Sequence, residues 1–212
     1  MEIISVNVSK KNSRLIWLKF TDNVLLPLSA DDYVLMHLKK FEPLTDEQFL
    51  TVQTASARFL LTEYSLRQVA ISPKVRVLLS RKLRLYSQKI NHSYQYPDGL
   101  VIGLIDSVVD KIDSLGLLDP VSFAEYFTRR HHRQSSSQIN YQLRQLGISQ
   151  KAIMSDDVAK IKLILQKKYK PEDFSDYQTK RKIIAKLYQK GFAVNDIKTA
   201  IDDYLGLLVE YP

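Results

Sequence analysis

The chain of 212 residues contains no cysteine. That excludes disulfides, thiolate metal sites and cysteine nucleophiles together, and it fits a reducing compartment. Glycine is scarce, at six residues, and none falls in a G-x-x-x-x-G-K or G-x-G-x-x-G spacing, so no phosphate-cradling loop is expected. The histidines are His37, His92, His131 and His132. None stands four residues from another, and the adjacent pair lies beside Arg129, Arg130 and Arg133 as part of a basic surface rather than as metal ligands. No charge-free apolar run reaches the ~18 residues that a bilayer span needs, and the N-terminus lacks a signal-peptide layout. A soluble cytoplasmic protein with no membrane partner is expected. The paired acids Asp31-Asp32 and Asp156-Asp157 fall at expected helix starts, where they complement the helix dipole. Nothing places a carboxylate in a pocket for acid–base work, so neither an enzyme nor a cofactor is expected.

What is present is ordinary globular composition, 45% hydrophobic and 25% charged, in a chain long enough for one or two domains with a real core. Twelve tyrosines and eight phenylalanines could stack on bases, but Phe123, Phe127 and Tyr188 fall at helical core spacing, and packing is the better default. The net charge of +8 is banded. Residues 73–92 carry Lys74, Arg76, Arg81, Lys82, Arg84 and Lys89 without an acid. Residues 126–154 carry Arg129, Arg130, Arg133, Arg144 and Lys151, and residues 177–195 carry Lys180, Arg181, Lys182, Lys186 and Lys190, again without an acid. Acidic stretches separate these bands. That arrangement, more than the net charge, implies a polyanionic or acidic partner.

Ile4, Val6 and Val8, then Arg14–Phe20, then Val24–Leu28 read as three short strands joined by tight polar turns, an antiparallel meander. Ser29 is placed to cap a helix from Ala30 to about Phe41, stopped by Pro43. The pattern is then helical to the end. Thr45-Asp46-Glu47-Gln48 has the form of a capping box opening a helix to about Tyr64. Ser72-Pro73 reads as N-cap and first turn of a helix over 73–90. Further helices are expected at 100–115, 120–132, from one of Ser135–Ser137 to Leu146, at 149–154, 156–170, 177–190 and 195–208.

A shift of 44 residues superposes Ile139 on Ile183, Leu143 on Leu187, Gly147 on Gly191, Ile148 on Phe192 and Ile153 on Ile197. Ile and Leu four apart aim one stripe at the core, Gly supplies a left-handed C-cap, and the next apolar residue seals the helix end. Residues 46–115 read as a third, less regular copy with a longer loop at Asn91–Pro97. The expected fold is mainly α, with tandem three-helix repeats in an elongated curved array and a small N-terminal antiparallel β meander. Its divisions would be 1–44 (meander and short helix), 45–117, 118–155 and 156–212 (repeats).

Leu115-Gly116-Leu117-Leu118-Asp119, Phe123-Ala124, Arg129-Arg130, Ile139, Leu143, Leu146-Gly147-Ile148 and Ile153 together resemble the central repeat of the RecX family, regulators of the RecA recombinase. Lys180-Arg181-Lys182, Leu187, Lys190-Gly191-Phe192 and Ile197 are similar to that family's last repeat. Ala57–Leu83, with Ser80-Arg81-Lys82-Leu83, is a looser match to its first. The chain departs from the pattern at Pro120, where a second acid is common, at Ser135–Ser137, which replace a glycine, and in the first repeat, which lacks the Gly-apolar cap. The resemblance implies a non-enzymatic cytoplasmic protein that binds the groove of RecA–DNA filaments and modulates ATP hydrolysis and strand exchange.

The candidate partner- and DNA-binding residues are Arg76, Arg81, Lys82, Arg84, Arg129, Arg130, Arg133, Arg144, Lys180, Arg181, Lys182 and Lys186. Helical spacing puts Arg129 and Arg133 on one face of the middle repeat's first helix, and Lys182 and Lys186 on one face of the last repeat's middle helix. The expected partners are the RecA filament and, weakly, single- or double-stranded DNA through its phosphates, with the protein a monomer. The competing reading is a stand-alone DNA-binding protein built from helix-turn-helix-like repeats. Basic residues spread over three repeats favour backbone or groove contact over a single base-reading helix.

Overall fold

A computed structural model describes residues 1–149 and 156–206. Internal contacts divide the chain into two compact units, Met1–Asp119 and Pro120–Pro212. In the first, β1 (Ile3–Val8), β2 (Leu15–Phe20) and β3 (Leu25–Ser29) form an antiparallel sheet in the order β1-β2-β3, the expected meander. The alternation of β2 buries Ile16, Leu18 and Phe20, joined by Leu26 and Leu28 of β3. In β1 the expected Ile4-Val6-Val8 face does not form as one stripe. The register shifts between Ile3 and Ser5, so Ile3 is fully buried, Val6 packs beside it against the core, and Val8 is 61% exposed. One extra residue reverses the side-chain alternation.

Ser29 caps α1 (Ala30–Leu35), its Oγ accepting the Asp32 N–H at 3.0 Å. The helix stops six residues short of the expected Phe41 because the sheet recruits residues 41–44. Phe41 N–H donates to the Ile3 carbonyl (2.9 Å), Leu44 N–H to the Met1 carbonyl (2.7 Å), and Glu2 bridges to Pro43. Reaching these partners puts His37 and Phe41 at φ of 48° and 64°, a region non-glycine residues adopt reluctantly.

The capping box at α2 (Asp46–Ile71) forms: Gln48 N–H donates to Thr45 Oγ1 (3.2 Å) and Thr45 N–H to Gln48 Oε1 (2.9 Å). The helix passes the expected end at Tyr64 and closes where Pro73 forces Ser72 into an extended conformation (φ −166°, ψ 153°). Ser72-Pro73 therefore ends one helix instead of opening the next. Lys74 is buried there, its ammonium donating to the Ser72 carbonyl (2.9 Å) and to the Ser72 hydroxyl. α3 (Arg76–Tyr94) runs on into the expected loop and ends at Gln95, left-handed at φ 51°, whose N–H bonds the Asn91 carbonyl at 2.9 Å. Gln95 followed by buried Tyr96 thus occupies the place of the glycine-apolar cap. The single helix expected over 100–115 is broken at Leu104 into α4 (Leu100–Gly103) and α5 (Ile105–Ser114). α2, α3 and α5 pack on one another and, through Leu61, Leu79, Leu83, Val108 and Ile112, share one core with the sheet. Ser56 of α2 donates to the Pro27 carbonyl (2.5 Å) and sits 2.7 Å from the Tyr96 hydroxyl, tying the helices to β3.

The second unit contains α6 (Pro120–Arg130), α7 (Ser136–Gln145), α8 (Asp157–Lys168), a 3-10 turn at Pro171–Phe174, α9 (Tyr177–Gln189) and α10 (Val194–Gly206). Residues 150–154 of the helix expected at 149–154, with its anchor Ile153, and the end of the last helix at Leu208 lie outside the described residues. The internal repeat is present in atomic detail. Ile139, Leu143 and Ile148 are buried, as are Ile183, Leu187 and Phe192. Gly147 and Gly191 have φ of 79° and 82°. Gly147 N–H bonds Arg144 O (3.0 Å) and Ile148 N–H bonds Leu143 O (3.0 Å). Gly191 N–H bonds Tyr188 O (2.8 Å) and Phe192 N–H bonds Leu187 O (3.4 Å). Both are Schellman closures. Gly116-Leu117 makes a third at the end of α5, through Asp113 O (2.8 Å) and Ile112 O (3.3 Å).

The middle and last repeats are joined by a half-buried polar clamp. The Asp157 carboxylate accepts the Ser136 N–H (3.0 and 3.1 Å to its two oxygens) and the Ser136 hydroxyl (2.7 Å). It also pairs with Lys160 Nζ at 3.1 Å, the two side chains being 14% and 12% exposed, while Lys160 donates to the Gln134 carbonyl at 3.0 Å. Among the described residues no helix is long and apolar enough to cross a membrane.

Candidate functional site

The candidate residues of the first unit lie on α3, whose core face is Leu79, Leu83, Ser87 and Ile90. At about 100° per residue, Arg81 falls opposite that face beside Leu85, which is 66% exposed, and Arg84 and Lys82 fall on the two flanks. Arg81 and Arg84 are exposed and Lys82 is half-buried. Arg76 differs from them. Its guanidinium bonds Asp110 and, at 2.7 Å, Asp113 of α5. These two carboxylates, Asp110 first, raise its already high pKa further. Arg76 staples α3 to α5, and its charge is already matched.

In the middle repeat the expected sharing of a helical face by Arg129 and Arg133 does not occur. α6 ends at Arg130, where the His131 N–H is divided between the Phe127 and Thr128 carbonyls (3.0 and 3.2 Å). The His131 ring then stacks on Phe127 at 4.0 Å with its Nδ1 2.8 Å from the Phe127 carbonyl oxygen. The chain must turn there so that Ser135 can cap α7. Arg129 and Arg130 are exposed in the last turn of α6, Arg130 donating to the Tyr126 hydroxyl (2.9 Å), and Arg133 is exposed in the connection. Arg144 is exposed in the last turn of α7, where it complements the helix dipole.

On α9, Ile183 and Leu187 face the core, Lys180 is half-buried, and Arg181, Lys182 and Lys186 are exposed. Tyr188, expected in the core, is 62% exposed, and Tyr177 at the other end is 76% exposed. The spacing of Tyr188 from Ile184 is helical, but it lies on the outward side of the Ile183–Leu187 stripe. Asp176 caps α9: the Thr179 hydroxyl (2.6 Å) and N–H (2.8 Å) hold its carboxyl below the usual carboxylate range.

Two candidates from different repeats approach the same depression. Arg133 lines one end of a cleft over α8, and Lys186 lines its continuation toward α9, with Ile164, Lys168 and Lys190 common to both parts. Lys167 and Lys168 escape the charge banding because Asp156, Asp157, Glu172 and Asp173 bracket them in sequence. The helical face is what groups them, and Asp157 is turned away into the Ser136 clamp. Among the described residues no cluster of three metal-ligating side chains occurs. The other perturbed groups are tyrosines whose phenols burial pushes up: Tyr86, Tyr94 and above all Tyr96. They belong to the packing of the first unit.

Residues 155–201, which span α8, α9 and most of α10, match the family model described as RecX, third three-helix domain. A curated protein, Regulatory protein RecX of Chlorobium phaeobacteroides (strain BS1), is 31% identical over 106 residues, which is 46% of this chain and 70% of that protein. The chain belongs to the RecX family. The solved structures agree in fold. A crystal structure of regulatory protein RecX superposes with a TM-score of 0.60 at 16% identity, over 95% of this chain and 98% of that one. That of RecX from Lactobacillus salivarius gives 0.51 at 23% identity, over 72% and 99%. The helical repeats and the small N-terminal sheet are thus a RecX-family architecture.

Proposed function

We propose that this chain is a non-enzymatic regulator of the RecA recombinase, acting in the cytoplasm by binding RecA–DNA filaments and modulating their ATPase and strand-exchange activity. Membership of a family whose curated relative is a regulatory protein carries the reading. Two exposed basic patches on separate repeats support it, Arg129 with Arg130 on α6 and Arg181 with Lys182 on α9. Long cationic side chains on different repeats suit a partner that is periodic and anionic, since linked weak contacts multiply. Arg81 and Arg84 are further exposed cations, on α3 of the first unit, whereas Arg76 is engaged by Asp110 and Asp113. We take the divisions 45–117, 118–155 and 156–212 as the contacting modules and the protein as a monomer.

The test is RecA's DNA-dependent ATPase with the quadruple reversal Arg129→Glu, Arg130→Glu, Arg181→Glu, Lys182→Glu. Regulation should be lost with the melting temperature nearly unchanged, because exposed charges contribute little to stability. A wild-type chain that leaves RecA's ATPase unchanged refutes the reading; a quadruple variant as effective as wild type makes the basic patches a solvated face, with regulation running through other surfaces. Duplex binding by wild type with no effect on RecA's ATPase would instead favour a stand-alone DNA-binding protein.

A further inference from the structure

The cleft over α8 has a composition that the basic rows do not explain. It encloses about 330 Å³, within the range of ligand-sized sites. Its floor is aliphatic, formed by Leu163, which is 66% exposed, and Ile164, which reaches from the core cluster. Its rim is cationic: Arg133, Lys167, Lys168 and Lys190, with His132 and the clamped Lys160 at one edge. None of its described lining residues is acidic. Among the described residues Arg133, Lys167, Lys168 and Lys190 make no ion pair. Lysines in the last turns of α8 and α9 answer the helix dipoles. An exposed leucine between them does not, and neither does an arginine contributed from another repeat.

We propose that this cleft captures an acidic polypeptide segment bearing a large apolar side chain. The apolar side chain would lie on Leu163 and Ile164, with carboxylates reaching the rim. Charge complementarity fixes the sign of the occupant, and the floor fixes its class. A single strand of nucleic acid is held by base stacking on aromatic faces, and the Leu163–Ile164 floor is aliphatic, the lining rings being His132 at one edge and Tyr169 in the continuation toward α9. An aliphatic floor under a cationic rim instead suits an amphipathic peptide. The inference is independent of RecA and of DNA.

The probe is a fluorescein-labelled peptide of sequence Asp-Glu-Asp-Leu-Phe-Glu-Asp-Glu, read by anisotropy against the intact protein. A control peptide carries Ser-Ser in place of Leu-Phe at the same charge. Wild type should bind the apolar-bearing peptide roughly tenfold or more tighter than the control, the increment that burying one such side chain supplies. Leu163→Ser should abolish that preference, and Lys167→Glu with Lys168→Glu should abolish binding of both peptides. All these positions are exposed, so circular dichroism and melting should be unchanged. Equal binding of the two peptides, or none, overturns the proposal. So does a twenty-nucleotide single strand that loses as much affinity to Leu163→Ser as the peptide does, since that outcome assigns the cleft to nucleic acid. Failure here leaves the RecA ATPase test untouched, because its variants lie outside this cleft.

Discussion

The two Schellman glycines of the second unit share a backbone conformation but not an environment, and alanine substitution should separate the two. At Gly147, φ is 79° and no described atom lies within 4 Å of where a Cβ would stand. Gly147→Ala therefore meets the left-handed penalty alone, about 1–2 kcal/mol. At Gly191, φ is 82°, and the added Cβ would come to 2.7 Å from the Ser135 hydroxyl and 3.4 Å from Gln138 Cβ. Ser135 is fully buried and is the N-cap of α7, accepting the Gln138 N–H at 3.1 Å. Its hydroxyl cannot move without surrendering the cap, a further loss of about 1 kcal/mol. Gly191→Ala should thus cost about 2–3 kcal/mol, roughly 1 more than Gly147→Ala. Ser135→Gly removes the obstruction while costing only about a few tenths of a kcal/mol, because glycine is an adequate N-cap. In that background Gly191→Ala should fall back to the Gly147→Ala value, a coupling of about 1 kcal/mol. Urea unfolding of the four single and double variants, monitored by far-UV circular dichroism at constant m-value, measures each term. Equal costs at the two glycines, or strict additivity of Ser135→Gly with Gly191→Ala, would refute the steric account.

Asp157→Ala should destabilise the second unit by about 2–4 kcal/mol, because it strands the Lys160 ammonium and the Ser136 N–H in a nearly buried site; denaturant unfolding reads the loss. Tyr96→Phe should cost about 1 kcal/mol at neutral pH through the lost hydrogen bond to Ser56. The phenol is raised in the folded state, so its contribution is complete below the unfolded value of about 10 and is lost as pH rises above it. Wild type should therefore lose stability faster than Tyr96→Phe between about pH 10 and 12, and parallel slopes in that window would count against a buried neutral phenol.

The features legible in the sequence are local ones. Gly147-Ile148 and Gly191-Phe192 close their helices through bonds that span five residues, so the motif and its outcome sit in one window. The same holds for Thr45 with Gln48 and for Ser29 with Asp32. Features that depend on partners far along the chain are hidden from such a window. The segment 36–44 has helical spacing, yet β1, some forty residues earlier, claims it, with Leu44 bound to Met1. Asp157 has the position of a helix-dipole residue, while its decisive contacts are Ser136 and the Gln134-bound Lys160. Of the candidate basic residues, Arg76 cannot be separated from Arg81 without knowing that Asp110 and Asp113 lie within its reach. Arg133 has the spacing of a helix that the His131 ring and the Ser135 cap end three residues earlier. The lysines of the cleft stay hidden when charge is sorted along the chain, because a helix sorts it by face.

The strap formed by residues 41–44 bears on what the open edges of the sheet offer to another backbone. A three-stranded sheet offers two open edges, and an open edge is a template for another chain's backbone. Here the strap occupies the Met1–Ile3 part of the β1 edge with its own hydrogen bonds. On β3, Pro27 has no N–H to offer, and its carbonyl is taken by Ser56. The backward φ values at His37 and Phe41 are thus the local strain that lays the strap along the Met1–Ile3 part of the β1 edge and withholds that part from another chain's backbone.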